Sequence, residues 1–390
     1  MIINDKRALA YITTIDALDP IPGYDRVEHA TVQGWKVIVS KNDNFHVGDK
    51  CVYFEVDSLC PSSDERFAFL ESRGYKVKTI KMCKVYSQGL IMPLSSFPEF
   101  SEDIEVFTDV TDTLGVKYYI AEDNVRKNFD IKSKDSVDSR YQWLYKKKFI
   151  KKFLKYSWFR KCFYTLFGAK KKKNDKAFPT NFPYIHKTDE ERVENMPWIL
   201  TYDKPLIVTE KIDGTSCTYI LERKKHNKFE FYVTSRNVRQ LSPEQDCYHE
   251  SNIYWELAKK YDIENHLMHY LNENPNLDYV CIQGEGAGSV QGNPLKLKEN
   301  RLFVFNFIRS DVGRISSVEG KNIILQWGME WVPILDTEFM MPRDMETLKI
   351  YSDGKSVVNN SVLREGIVLR DPTTDLSFKS VSREYLLKHS

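Results

Sequence analysis

At 390 residues the chain is long enough for two or three domains of ordinary size. Its 57 Lys and Arg balance 55 Asp and Glu, which excludes binding of nucleic acid through a polycationic chain as a whole, and 42% apolar residues supply sizeable cores. Seven scattered cysteines without a CxxC pair argue against a zinc site and for a reducing intracellular compartment, cytoplasmic or nuclear; no signal-peptide pattern opens the chain and no apolar run could span a bilayer, so no membrane partner is expected.

Residues 7 to about 110 read as short strands between turns, over 7–15, 29–32, 34–39, 50–56, 75–86 and 89–93, with a break at Asp19-Pro20-Ile21-Pro22-Gly23. In the run 50–56, Cys51, Tyr53 and Glu55 alternate with Val52, Phe54 and Val56, the period of a half-buried strand. About five such strands in roughly a hundred residues suit a small closed barrel, and the OB-fold is a barrel of this kind that touches nucleic acid. Lys76, Lys78, Lys81 and Lys84 cluster there, as a solvated strand face or as a surface that tracks phosphates.

From 141 to 173 lysine clusters interleave with Trp143, Phe149, Phe153, Trp158, Phe163 and Phe167. Phe149 with Phe153, and Ile150 with Leu154, have helical spacing and predict one or two basic amphipathic helices. Three roles stay open: an interdomain linker with one packed face, an RNA-backbone contact, or a membrane-surface helix. Further on, Thr188 ahead of Asp189, Glu190 and Glu191 predicts a helix N-cap.

The apolar run Leu206, Ile207, Val208 leads into Lys211, then Asp213-Gly214, then a second β-prone run from Ser216 to residue 221, which reads as a strand, a tight turn and a strand. Lys211 then closes the first strand beside the turn, either as a solvated turn residue or as an amine that attacks an electrophile. Other elements follow: Thr234-Ser235-Arg236-Asn237 after a β-run, Ile282-Gln283-Gly284-Glu285 after another, the alternating aromatics Phe303, Phe305 and Phe307, then Arg364-Glu365-Gly366, and last Ser377-Phe378-Lys379. Each has an ordinary structural reading as core or surface turn; together they supply what adenylyl transfer needs. Lys211 offers the nucleophile, and Lys379 a cation for the α-phosphate whose charge helps keep Lys211 unprotonated. Asp213, Glu285 and Glu365, each expected at a strand end, can orient a hydrated Mg²⁺ or Mn²⁺. Phe305 offers a face to adenine and Arg236 a fork for ribose or an RNA end.

Lys211-Ile212-Asp213-Gly214 and the elements after it resemble, in order and over about 170 residues, the motifs of the covalent nucleotidyltransferase superfamily of ligases and capping enzymes. Gly34-Trp35-Lys36-Val37-Ile38-Val39, Val47-Gly48-Asp49-Lys50, Tyr53-Phe54-Glu55-Val56-Asp57-Ser58 and Ser87-Gln88-Gly89-Leu90 resemble the N-terminal OB module of ATP-dependent RNA ligases of the RNA ligase 2-like group. The resemblance implies an α+β protein: an OB-fold β-barrel over 1–115, a basic, helical connector over 116–178, and a nucleotidyltransferase domain built on antiparallel sheets over 179–390. It implies that Glu210, Gly214 and Ser216 flank the nucleotide. It also implies ATP and Mg²⁺ (or Mn²⁺) as cofactors, a lysyl-AMP intermediate, a monomer, and a nicked duplex with an RNA 3′-OH strand, or RNA ends, as substrate. The OB module ahead of the catalytic domain favours the RNA ligase branch over capping guanylyltransferases and DNA ligases, and a decayed domain in an RNA-binding protein is a further alternative. One departure stands out: Ser377 and Val381 flank Lys379 where many of these ligases carry a second lysine, so either Lys379 suffices or Arg383 or another cation assists pyrophosphate departure. The run Gly286 to Gly292 reads as a flexible turn or, less specifically, a phosphate cradle.

Overall fold

A computed structural model describes residues 1–3, 6–119, 147, 163, 190–236, 239–240, 242 and 252–389. The basic helices expected over 141–173 lie outside the described residues except for Lys147 and Phe163, as does Thr188. The described residues form two compact units, one from Met1–Tyr119, Asp189–Ile212 and Pro333–Ser390, the other from Asp213–Val332.

The first unit opens with the strands β1 (Ala10–Thr14), β2 (Ala17–Ile21), β3 (Tyr24–Val32), β4 (Trp35–Ser40), β5 (Lys50–Phe54), β6 (Thr79–Met82), β7 (Val85–Gln88) and β8 (Leu90–Pro93). They make an antiparallel sheet in the order β8-β5-β1, another in the order β2-β3-β4, and the hairpin β6-β7. The break expected at Asp19-Pro20 is instead strand. β2 lies at the edge of its sheet, where a proline's missing N–H costs nothing. The strand β5 is buried on both faces rather than one. Cys51 and Tyr53 join Trp35 and Tyr11 in one core, while Val52 and Phe54 join Phe67 and Leu70 in another. A 3₁₀ segment, Glu65–Arg73, covers the second face and presents Phe67 and Leu70, which sequence periodicity did not flag. The tight hairpin β6-β7 turns at Cys83 and Lys84 in left-handed conformations and carries Lys81 at its end.

The same unit holds β9 (Glu191–Arg192), β10 (Leu206–Lys211), β15 (Ile334–Phe339), α4 (Met345–Ser352), β16 (Gly366–Arg370), β17 (Ser377–Val381) and α5 (Arg383–His389). Their sheet runs β9-β17-β16-β10-β15, with β9 parallel to β17 and the other pairs antiparallel. The helix expected after Thr188 is replaced by β9 and a 3₁₀ turn, Val193–Asn195. Pairing with β17, far along the sequence, overrides the local capping signal.

The second unit holds β11 (Thr215–Lys224), β12 (Lys228–Ser235), α1 (Ile253–Lys260), α2 (Ile263–Glu273), β13 (Tyr279–Ala287), β14 (Arg301–Arg309) and α3 (Ser317–Gln326). The order β12-β11-β13-β14 is antiparallel throughout. One face is covered by helices, which bring Trp255 onto Phe231 and Tyr270 and Trp327 onto Phe307. Among the described residues no helix is long and apolar enough to cross a membrane.

Candidate active site

The hairpin expected around Asp213-Gly214 does not form. β10 pairs with β15 and β16, β11 with β12 and β13, so Ile212 to Gly214 carries the chain from one sheet to another. Gly214 is not in a left-handed conformation. Its role is closeness: a Cβ there would lie 3.0 Å from the Gly286 carbonyl carbon and 3.1 Å from Glu285 Cγ. Gln291 adds to this by donating its side-chain N–H to the Gly214 carbonyl, so the segment read as a flexible turn reaches back onto the nucleophile motif.

In the first unit, Lys211 ends a strand whose other residues are buried, and keeps 26% of its own side chain exposed. Its Nζ donates to Glu365 Oε2 at 2.7 Å. Lys211 lies opposite Gly366, the residue after Glu365, so register alone brings the two side chains together. Gly366 lets β16 lie close to β17 at this point, because a Cβ there would fall 2.8 Å from Val381 Cα. Arg364 has a structural part: it donates to the carbonyls of Tyr351, Ser352 and Asp353 and so satisfies the C-terminus of α4. Glu210 is buried, with Oε2 accepting from Val357 N at 2.8 Å and Oε1 without a partner. Burial pushes its carboxyl pKa up, against the hydrogen bonds from Ser356 and Val357.

Lys379 sits in β17, paired with Val368 of β16 on one side and with Arg192 of β9 on the other. Desolvation, and then repulsion from Arg192 and Lys211, lowers its pKa to about 7, with Glu365 opposing. Arg192 was missed by sequence reasoning. It is 6% exposed and donates from Nη2 to Asp57 Oδ2 at 3.1 Å, while its Nε and Nη1 are buried without a partner among the described residues. Asp57 and Glu55 come from the OB strand motif. Glu55 accepts from Arg7 Nε and Asn195 Nδ2 at 3.1 Å each, and Trp35 Nε1 donates to Asn195 Oδ1 at 2.7 Å. The barrel therefore clamps β9, which holds the guanidinium beside Lys379. Nothing in local sequence reports this, since Arg192 and Lys379 meet only through a parallel pairing of distant segments. Arg383, the other cation considered, is engaged with Glu346 at 2.7 and 2.8 Å.

In the second unit, Ser216 lies opposite Glu285, which lies opposite Phe303. Glu285 is within β13 rather than at its end, because the strand runs on to Ala287. Gln283 pairs with Asn306 and Gly284 with Val304, so Phe305 is the extra residue of a β-bulge. The bulge breaks the alternation: Phe303 and Phe307 are buried, whereas Phe305 keeps partial exposure. Arg236 is exposed at the end of β12 and Asp213 precedes β11.

Among the described residues, no three His, Cys, Asp or Glu side chains are gathered as metal ligands. Of the three candidates, Glu365 belongs to the first unit and Asp213 and Glu285 to the second.

Residues 204–384 match the RNA ligase family and residues 9–94 an OB-fold domain. The structure resembles that of Naegleria gruberi RNA ligase with pyrophosphate, at 27% identity over 98% of this chain and 99% of that one, with a TM-score of 0.73. A variant of the same enzyme with ATP and manganese aligns at 25% identity over 98% and 99%, TM-score 0.71. Another variant, with AMP and manganese, aligns at 26% identity over 98% and 99%, TM-score 0.72. Among curated proteins, none matches the sequence.

Proposed function

We propose that this chain, an RNA ligase-family enzyme with an OB-fold domain ahead of its ligase domain, uses ATP to join an RNA 3′-hydroxyl to a 5′-phosphate, with a nicked duplex as the favoured substrate. The observation that carries the reading is Lys211 held 2.7 Å from Glu365, in the unit where Lys379 has a pKa lowered to about 7. An amine at a strand terminus, a carboxylate on it and cations nearby are the equipment of phosphoramidate chemistry.

In the first step Lys211 Nζ attacks the α-phosphorus of ATP. The N–P bond forms, the α–β P–O bond breaks, and pyrophosphate leaves with its electron pair. Glu365, in contact with Nζ, is placed to accept the proton that the amine must lose. Lys379 regains its proton as the polyphosphate arrives, since an anion raises an amine's pKa, and the free donors of Arg192 suit the phosphates left or leaving. In the second step the RNA 5′-phosphate takes AMP from Lys211. In the third the 3′-hydroxyl attacks that activated phosphate and expels AMP. Asp213, Glu285 and Glu365 are the side chains we assign to Mg²⁺ or Mn²⁺, which when bound would neutralise developing charge on the phosphates. Phe305 stacks the base, Ser216, Gly214 and Glu210 flank the nucleotide, and Arg236 meets the ribose or an RNA end. The binding of ATP and manganese by the Naegleria enzyme supports the cofactors. Residues 1–115 serve as the RNA-binding module, 116–178 as a basic connector, and 179–390 as the catalytic domain, in a monomer of a reducing compartment.

The test is incubation with α-labelled ATP and Mg²⁺ or Mn²⁺, followed by nicked duplexes that differ only in RNA or DNA on each side of the break. The wild type takes label and Lys211→Ala takes none, a loss beyond about a thousandfold. Label from GTP in place of ATP would point to a capping enzyme, equal sealing of a DNA 3′-hydroxyl to a DNA ligase, and adenylylation without sealing to a decayed domain.

A further inference from the structure

One face of the second unit's sheet is graded. Three successive cross-strand rows lie on the side away from the helices, since directly opposed residues share a face. Tyr232, Ile220, Cys281 and Ile308 form an apolar row. Next come Thr234, Thr218, Gln283 and Asn306, one from each of β12, β11, β13 and β14. All four are polar and all are buried, at 5%, 6%, 3% and 7% exposure. Beyond them lie Ser216, Glu285 and Phe303. The bulged Phe305 falls in β14 between the second and third rows.

A buried row of uncharged polar groups costs free energy unless each group is paired. Asn306 is half paired: its Nδ2 donates to Gln283 Oε1 at 2.8 Å, and its Oδ1 is buried with no partner among the described residues. Such an orphan acceptor calls for a donor that the described residues do not supply. In this pairing Asn306 turns its carbonyl oxygen away from the Gln283 oxygen, and flipping Asn306 alone would set two oxygens face to face. The row therefore presents an acceptor in the strand position that follows the bulged Phe305.

We propose that Asn306, locked by Gln283, reads the six-position of the nucleotide's purine and makes the enzyme select adenine. Adenine presents an amino donor there, guanine an oxygen acceptor. The amino group satisfies Asn306 Oδ1, and the guanine oxygen would leave two acceptors facing each other in a buried site. Sites built to hydrogen-bond one group reject analogues lacking it more strongly than apolar pockets reject a methylene. The inference rests on the reading of the chain as an ATP-using ligase and adds the residue pair that chooses the base.

The experiment measures self-adenylylation rates with three labelled triphosphates: ATP, GTP, and purine riboside triphosphate, which has hydrogen at the six-position. The wild type prefers ATP to both. Asn306→Leu loses the preference for ATP over the purine analogue by about 10- to 100-fold, the effect of removing one buried hydrogen bond. Asn306→Asp, which keeps an acceptor, retains the preference for ATP over GTP. Gln283→Leu, which frees the amide to flip, narrows the gap between ATP and GTP and decides the matter if Asn306→Leu does not fold. Overturning results are a wild type indifferent to the six-position, or an Asn306→Leu or Gln283→Leu enzyme, folded by circular dichroism, with unchanged preferences. A wild type that takes label from no nucleotide overturns the underlying ligase reading instead, a different result from labelling without discrimination.

Discussion

The two sheets that share the motif series differ in kind. The first unit's sheet gathers charge: Lys211, Glu365, Lys379 and Arg192 come from segments up to 187 residues apart, the span from Arg192 to Lys379, and reach one another through strand register. The second unit's sheet instead grades one face from apolar to neutral polar to Glu285, using four neighbouring strands. Charge suits phosphate, whose attraction is long-ranged and undirected, and a buried amide suits a base, whose identity lies in hydrogen-bond direction. In the first sheet burial, and then repulsion from Arg192 and Lys211, lowers the pKa of Lys379, while the second sheet's row holds a hydrogen bond between uncharged groups.

That contrast can be broken from either side. The largest effect is expected at Arg192. Arg192→Ala should slow self-adenylylation by about a hundredfold or more while sparing sealing of a nick that already carries AMP, because the leaving pyrophosphate occurs only in the first step. Arg192→Lys should rescue little, since a lysine's three donors sit on one nitrogen and cannot span the positions of the guanidinium fork. Equal losses on both reactions would show that the residue merely holds β9 in place.

A smaller effect is expected at the crossing between sheets. Gly214→Ala sets a methyl against backbone that cannot yield, at 3.0 Å from the Gly286 carbonyl carbon, and should cost about 1–3 kcal/mol in urea unfolding. Were the segment an ordinary turn in solvent, the same change would be neutral.

The smallest effect is a matter of pH. Lys379 has a folded-state pKa near 7, below its ordinary 10.5, so the unfolded chain binds the extra proton and the cost is fully present below about pH 7. It is relieved as pH rises from about 7 to 10.5, where the folded chain has already released that proton. Lys379→Met should therefore melt a few degrees higher than wild type at pH 6, and the difference should shrink by pH 10. An unchanged gap across that range would mean that the amine is not desolvated. In the same variant, self-adenylylation should fall, which sets stability against function at one residue.

Lys211 at the close of a buried strand, the order of the later elements, the barrel ahead of them and the antiparallel sheets were all legible in the chain, because each depends on apolar periodicity and on chemistry-bearing residues a few positions apart. Strand partners were not. Asp213-Gly214 carries the local signature of a hairpin, yet β10 and β11 belong to different sheets, since pairing is settled by which distant strand buries which face. The same holds for Arg192, whose helix-start context yields to a parallel pairing with the strand of Lys379. It holds again for Phe305, set apart from Phe303 and Phe307 by one extra residue against its neighbour strand. The sequence by itself determined which groups are available for the chemistry. The tertiary structure alone decided which of them meet, because register and bulges are properties of pairs of strands and no single segment contains them.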